Sequence, residues 1–241
     1  MTLKRFSVLL LTLSLLCLLI GGAFLGFERI ALNPAVYDRL QRQINRYDYI
    51  GLSPEAQSRV NRVLSDYLSG ARQDIDIEET LLGVPQQVFN ADEKAHMTDV
   101  YHLFVLERRI RSFCLAAGAV LTAAVGALAR NRPGQTVRSA LKAFLAFTAV
   151  LAAALAILSM SCGFDRLFIL FHKLLFTNDL WLMNPATDAM IRMFPSEFFL
   201  RIAIESGVSA LIYGLAITAA APALLLAAGF IRTRSGRKQT P

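Results

Sequence analysis

Four long apolar segments dominate the pattern of hydrophobic and polar positions. They cover about residues 6–27, 112–129, 142–162 and 202–231. A helix rises about 1.5 Å per residue, so each segment is long enough to cross a hydrocarbon layer of about 30 Å. Hydrophobic residues make up 55% of the chain, more than soluble domains usually contain. The pattern predicts a mainly α integral membrane protein, a single membrane domain over 1–241 with four transmembrane helices.

The first apolar segment has a second interpretation, a cleaved signal peptide. It is longer than the apolar core of about 7–15 residues in such peptides, and no small-x-small cleavage site follows it. The bulky Leu16 stands before Cys17, where a lipoprotein signal would have a small residue. We therefore expect a retained anchor.

The region between the first two spans, 28–111, has balanced charge and predicts a small cap. Asn33 and Ser53 each precede a proline, which is typical of a helix start, and apolar residues follow both at helical spacing. The period then changes to strict alternation over 74–78, and after a turn the run 86–89 can pair back. This pattern predicts two helices followed by a short β-hairpin.

A long helix is predicted to follow the hairpin. Asn90 can cap its free amides, and Glu93 stands where a capping-box acid reaches back. Neither proline nor glycine occurs after Asn90 until Gly118, so one helix should continue into the second span.

The net charge of +7 comes from basic clusters beside the apolar segments. They lie at the N-terminus, in a predicted loop at 130–142 and in the C-terminal tail, which is how topology determinants are placed, so we exclude a nucleic-acid partner. All three clusters fall on one side of four spans. The positive-inside rule therefore predicts cytoplasmic termini and places the cap and the stretch 164–200 outside.

The stretch 164–200 is too apolar for an ordinary loop and too charged for a span. It is rich in Phe, carries the only Trp, Trp181, and is interrupted by Asp, Asn and Arg. These features predict an interfacial or re-entrant segment at the outer leaflet, with Trp181 as an interfacial anchor. Glu205, just beyond it, is expected to pair with Arg201 or Arg166.

Two of the three histidines are candidates for chemistry. On the helix that begins near Ala91, His96 shares a face with Asp99, which could bind one imidazole nitrogen, whereas His102 points elsewhere. His172 lies among aromatic residues, where an ionisable group costs desolvation unless it is used. Asn178 and Asp179 follow it and can fold back toward it. The ordinary interpretation, a solvated or hydrogen-bonded core histidine, stays open for each.

Three blocks of the sequence carry a family resemblance. They are His-Met-x-Asp-Val within 89–100, Phe-His-x-x-x-Phe followed by Asn-Asp-x-Trp in 171–181, and Asn-Pro-x-x-Asp with Phe-Pro-x-x-Phe-Phe in 184–199. Together they resemble a family of bacterial four-span membrane proteins that includes the lipoprotein intramolecular transacylases (Lit) of Gram-positive bacteria.

The resemblance implies an acyltransferase of the bacterial cytoplasmic membrane that needs no cofactor and no metal. It would move the sn-2 acyl chain of diacylglyceryl-cysteine to the α-amino group of the same cysteine, giving a lyso-form lipoprotein. Its partners would be a diacylated lipoprotein N-terminus and membrane lipid. The resemblance implies catalytic roles for His96 and His172, and orienting or site-lining roles for Asp99, Asn178, Asp179 and Trp181.

Three other functions remain open from the residues alone. A non-enzymatic membrane scaffold or lipid-binding protein would not need the histidines. A metalloenzyme could use His96, His172 and a carboxylate, although no His-Glu-x-x-His spacing occurs. A transporter is disfavoured because the spans carry no ionisable residue at mid-membrane and no repeat.

Overall fold

The computed structural model describes residues 2–44 and 47–237. It contains eight helices and one pair of strands within these residues. In chain order they are α1 (Leu3–Ala31), α2 (Pro34–Ile44), α3 (Tyr47–Ile50), α4 (Pro54–Ser69), β1 (Glu78–Leu81), β2 (Val84–Gln87), α5 (Ala91–Leu128), α6 (Pro133–Leu175), α7 (Ala189–Met193) and α8 (Ser196–Arg237).

Four of these helices are long and apolar enough to cross a membrane. They are α1, α5, the Pro133–Leu158 part of α6 and the Ser196–Arg232 part of α8. The predicted class is therefore confirmed: a mainly helical integral membrane protein with four candidate spans and a two-stranded antiparallel sheet.

The basic loop predicted at 130–142 is wrong in its extent. Helix α6 already begins at Pro133, so Arg138 and Lys142 are helical. Proline suits the first helical position because its missing N–H would have no partner there. Lys238, assigned to the basic C-terminal tail, lies outside the described residues.

Helix α6 extends past the third span into the stretch that the sequence marked as interfacial. It continues to Leu175, with non-helical dihedrals of φ 70° and ψ 165° at Gly163. Glycine is suited to this backbone conformation because it has no Cβ to clash. After a loop and α7, helix α8 begins at Ser196, earlier than the predicted start of the fourth span at 202.

The chain forms two compact units. The first contains the chain up to Gly26, Arg108–Met160 and the chain from Ser209 onward. Its helices approach closely: a Cβ added at Gly26 would lie 2.4 Å from the main-chain oxygen of Ser209. The side chain of Ser14 donates to the main-chain oxygen of Gly118 at 2.8 Å. Small residues and hydroxyl hydrogen bonds of this kind hold helices together in lipid.

The second unit contains Phe27–Glu107 and Ser161–Val208. Its core is formed by apolar side chains of the cap helices and of the later stretch, including Val60, Phe89 and Met193. The predicted helix start at Ser53 is confirmed, because its hydroxyl accepts from the amide of Ala56 at 3.2 Å.

The predicted β-hairpin exists, but its strands are shifted. Strands β1 and β2 pair antiparallel, with Glu78 opposite Gln87, so most of the alternating run 74–78 is not a strand. In that run the carboxylate of Asp74 accepts from the amide of Asp76 at 3.1 Å, and Arg72 binds both residues. These local bonds give the backbone an alternative to the strand ladder.

The expected partner of Glu205 is also wrong. Arg201 pairs with Glu197 at 2.7 Å, the i,i+4 spacing on the same helix. The carboxylate of Glu205 instead accepts two hydrogen bonds from Arg39 of α2, at 2.9 and 2.5 Å. Sequence spacing could not find this partner because Arg39 is brought to α8 only by the packing of the second unit.

Candidate active site

The two candidate histidines lie face to face in the second unit. His96 comes from α5 and His172 from α6, and each is only 7% exposed. Their ring centroids are 6.2 Å apart and their planes differ by 27°. Phe176 packs against both rings, with centroid distances of 5.2 Å to His96 and 5.4 Å to His172. Two residues 76 positions apart in sequence therefore share one largely buried site.

His96 is positioned by the first turn of α5, whose capping box is confirmed. Glu93 Oε2 accepts from the amide of Asn90 at 2.8 Å, and Asn90 Oδ1 accepts from the amide of Glu93 at 2.9 Å. The second carboxylate oxygen of Glu93 accepts from the amide of Met190 at 2.7 Å. This bond fastens α7 to the helix that carries His96. Sequence analysis missed it because capping alone already explained an acid at this position.

The tautomer of His172 follows from its hydrogen bond. Its Nδ1 lies 2.7 Å from the main-chain oxygen of Phe168, one helical turn earlier. A carbonyl oxygen only accepts, so Nδ1 carries the proton in the neutral ring. The lone pair of the neutral imidazole is therefore on Nε2, which is the atom that can accept a proton.

Aromatic rings surround His172. Ring centroids lie 4.2 Å away for Phe168, 5.3 Å for Phe171 and 4.9 Å for Trp181. The indole of Trp181 is inclined by only 30° and stacks on the imidazole. A π face stabilises a cation, so this stacking favours the protonated ring whereas the dry surroundings oppose it.

Asn178 connects α5 to the loop that carries Trp181. Its Nδ2 donates to Asp99 Oδ2 at 2.8 Å, and its main-chain oxygen accepts from Trp181 Nε1 at 3.1 Å. The suggested bond between Asp99 and His96 is therefore replaced by one to Asn178. His96 Nδ1 is buried and lacks a hydrogen-bond partner within residues 2–44 and 47–237. The sequence analysis named Asp99, Asn178 and Trp181 as site candidates, but it did not predict these hydrogen bonds between them.

Among the described residues, the candidate Asp179 and the remaining histidine, His102, stand apart from this contact network. The main-chain oxygen of Asp179 accepts from the amide of Leu182 at 2.9 Å, which is a turn interaction. A site role for its carboxylate stays a prediction. His102 is exposed and its ring lies against Tyr101, as expected from its different helical face.

Burial lowers the pKa of both histidines, which favours their neutral forms. Burial, followed by the charge of His172, lowers the pKa of His96 to about 4, and Asp99 opposes this only partly. Burial also lowers the pKa of His172, against the effect of its bond to Phe168. His96 lies in the polar first part of α5, before its apolar segment 112–129, and His172 lies on α6 after the candidate span that ends at Leu158.

Comparisons with known proteins identify the family. The family model described as lipoprotein intramolecular transacylase Lit matches residues 7–199. The chain belongs to this family. It is accordingly a membrane acyltransferase. Its partners belong to two classes, lipoproteins and membrane lipids. A comparison with curated proteins gave no match.

Solved structures support the same fold. The chain is similar to the membrane integral lipoprotein intramolecular transacylase Lit from Bacillus cereus, at 22% identity and a TM-score of 0.64, over 96% of this chain and 98% of that chain. Two variants of that protein, in which a histidine is replaced by arginine or alanine, match at 20% identity and a TM-score of 0.62. They cover 98% of this chain and 95% and 96% of theirs.

Proposed function

We propose that this Lit-family chain moves the sn-2 acyl chain of a lipoprotein's diacylglyceryl-cysteine to the cysteine's own α-amino nitrogen, with His96 and His172 as catalytic residues. The observation that carries the proposal is the facing pair of buried, neutral imidazoles. An imidazole is the side chain best suited to exchange protons near neutral pH.

The reaction transfers one proton and exchanges one bond. The lone pair of the free amine attacks the ester carbonyl carbon, so a C–N bond forms. The C–O bond to glycerol then breaks. The nitrogen loses a proton and the glyceryl oxygen gains one, so neither an oxidant nor a second substrate is needed. The amine is the nucleophile, so the protein has to position it and move its proton.

His172 is the proton carrier in this scheme. Its Nε2 lone pair takes the proton from the attacking nitrogen and returns it to the departing glyceryl oxygen. The fixed tautomer supports this role, because Nδ1 is committed to Phe168. The stacked indole of Trp181 supports it as well, because the ring must hold a positive charge between the two transfers.

His96 acts as the neutral partner. With a pKa of about 4 it stays uncharged while the reaction runs, so it holds the amine or the ester oxygen by hydrogen bonding. Its Nδ1 is buried without a partner among the described residues, which supports a group of the substrate as the missing one. Two hydrogen bonds, between Asn178 and Asp99 and between Trp181 and Asn178, then orient the loop beside the site.

The site is proposed to lie at the outer leaflet of the bacterial cytoplasmic membrane, with both termini in the cytoplasm and the cap outside. The support is the clustering of Lys and Arg on one side of four candidate spans. A diacylated lipoprotein N-terminus would present its ester at the depth of the outer leaflet.

The decisive experiment expresses the chain in a bacterial host whose lipoproteins keep a diacylglyceryl-cysteine with a free amino group. Mass spectrometry of lipoprotein N-termini should show one acyl group on nitrogen and one left on glycerol. His96→Gln and His172→Gln should each lower the conversion about a hundredfold or more, the usual effect of removing a positioned acid or base. His102→Gln is the matched control and should retain most activity.

Two outcomes would contradict the proposal. Unmodified lipoproteins in the presence of the folded wild-type chain would favour a scaffold or lipid-binding protein. Losses that multiply in the His96→Gln, His172→Gln double variant would contradict a shared proton path, because residues that act as one unit are not additive.

A further inference from the structure

A basic groove lies in the first unit, where the chain passes from α5 to α6 beside the last part of α8. It is open to the surroundings, has a volume of about 460 Å³, and is lined by residues that include Arg130, Pro133, Leu226, Phe230 and Arg232. Helix α8 packs tightly against the start of α6 here, because a Cβ added at Gly229 would lie 2.7 Å from Cγ of Pro133. The groove is therefore formed by closely packed helices, and its volume falls within the range of about 300–1,000 Å³ that is usual for ligand pockets.

The two arginines of the groove have no carboxylate partner in their own unit. The three stretches of chain that form the first unit contain neither Asp nor Glu. None of the ion pairs found within 2–44 and 47–237 includes Arg130 or Arg232. Arg232 donates to the main-chain oxygen of Gly126 at 3.5 Å, a long contact that uses one of its five N–H donors. The counter-charge of this groove is therefore expected to come from outside the unit.

The apolar wall of the groove belongs to a candidate membrane span. Leu226 and Phe230 are one helical turn apart on α8, so they share a face, and they are 46% and 61% exposed. The candidate span ends two positions after Phe230, at Arg232. In a bilayer such a face contacts acyl chains, and a basic residue at the end of a span lies at the depth of the headgroups. A soluble anion would use the arginines but not the apolar wall.

We propose that this groove binds one anionic phospholipid, with the phosphate against Arg130 and Arg232 and an acyl chain along Leu226 and Phe230. A guanidinium is suited to this role because its planar N–H donors match two phosphate oxygens. Basic pockets between the ends of transmembrane helices are known to take such headgroups. Under the proposed topology the lipid comes from the cytoplasmic leaflet. It is a bound ligand and not the substrate, so this inference does not depend on the transacylation.

The test uses the purified full chain in micelles of a neutral detergent. Added phosphatidylglycerol should raise Tm, and native mass spectrometry should find one such lipid retained per chain. Phosphatidylcholine with the same acyl chains carries no net charge and should do neither. Arg130→Gln and Arg232→Gln should each weaken binding of phosphatidylglycerol about fivefold, the usual effect of one arginine on an anionic lipid.

Arg138→Gln is the matched control for charge. Arg138 is exposed near the start of α6 and does not line the groove, so its substitution removes the same charge without touching the site. This variant should keep wild-type affinity. All three arginine variants are surface substitutions, so a lipid-free Tm within about 2 °C of the wild type verifies that the fold is intact.

Two further measurements test the apolar part of the site. Glycerol 3-phosphate supplies the phosphate without acyl chains, and at the concentration of the lipid it should leave Tm unchanged. Leu226→Ser keeps both arginines and should weaken binding of phosphatidylglycerol several-fold. An equal Tm shift by glycerol 3-phosphate would overturn the inference in favour of a soluble anion.

Other results would overturn it as well. Equal binding of phosphatidylglycerol and phosphatidylcholine would show that charge has no role. A loss of affinity in Arg138→Gln as large as that in Arg130→Gln would show diffuse attraction to a basic surface. The outcome for the proposed function is separate: transacylation in lipid-free micelles should be unchanged in Arg130→Gln, and a wild type that binds the lipid but does not transfer the acyl chain would refute only the proposed function.

Discussion

The charge state of His96 should make the protein sensitive to acid, and one substitution isolates the effect. The folded pKa of about 4 lies below the value of about 6.5 for an unfolded histidine. The unfolded chain therefore binds the proton more readily. Stability from this residue is fully present above pH 6.5 and is lost as the pH falls toward 4.

The magnitude follows from these two pKa values. At pH 7 the imidazole is mostly neutral in both the folded and the unfolded chain, so the difference between the two pKa values costs almost no stability. At pH 5 the unfolded imidazole is nearly all protonated and the folded one nearly all neutral, which amounts to about 2 kcal/mol of lost stability. In a chain of this length 1 kcal/mol shifts Tm by about 2–4 °C, so His96 should account for about 4–8 °C of the fall in Tm.

The assay measures Tm in detergent micelles at pH 7 and at pH 5 for the wild type and for His96→Phe. Phenylalanine keeps a ring against Phe176 but cannot titrate, so the variant should lose less Tm than the wild type by about that amount. His102→Phe is the control and should keep the wild-type pH dependence, since His102 is exposed. Equal losses for wild type and His96→Phe would refute the assignment of a buried, neutral His96.

Three further outcomes are expected. Cysteine introduced at Ser58 should be labelled from outside intact cells, and cysteine at Gln135 should not; labelling at Gln135 would refute the topology. Gly26→Val should destabilise the fold, seen as a lower Tm, because even a Cβ would collide with the main-chain oxygen of Ser209. Glu93→Ala should cost about 2–4 kcal/mol of unfolding free energy, since the buried amide of Met190 and the part-buried amide of Asn90 both lose a charged acceptor, and denaturant titration of purified protein measures it.

Local chemistry made much of the fold predictable from sequence. The four spans follow from apolar segments of sufficient length, and the helix starts at Ser53 and Asn90 follow from capping, which involves residues three positions apart. The family resemblance named His96 and His172. That the two imidazole rings face each other, by contrast, depends on how α5 and α6 pack.

The errors arise where a distant residue or a competing local bond decides the structure. Side-chain bonds around Asp74 displaced the hairpin, and Arg39 from another helix took the carboxylate of Glu205.

The same burial that keeps the histidines neutral has a consequence for the chemistry. A substrate amine has a pKa of about 8 and His172 one below 6.5, so an ammonium ion would not give its proton to this imidazole readily. The proposed mechanism therefore requires an amine that enters already neutral and becomes acidic only once it has attacked the ester. In the proposed mechanism, Nε2 of His172 accepts the proton at that moment, and the stacked indole of Trp181 stabilises the new cation. In this mechanism the dry surroundings confine protonation of the histidine to the reacting complex.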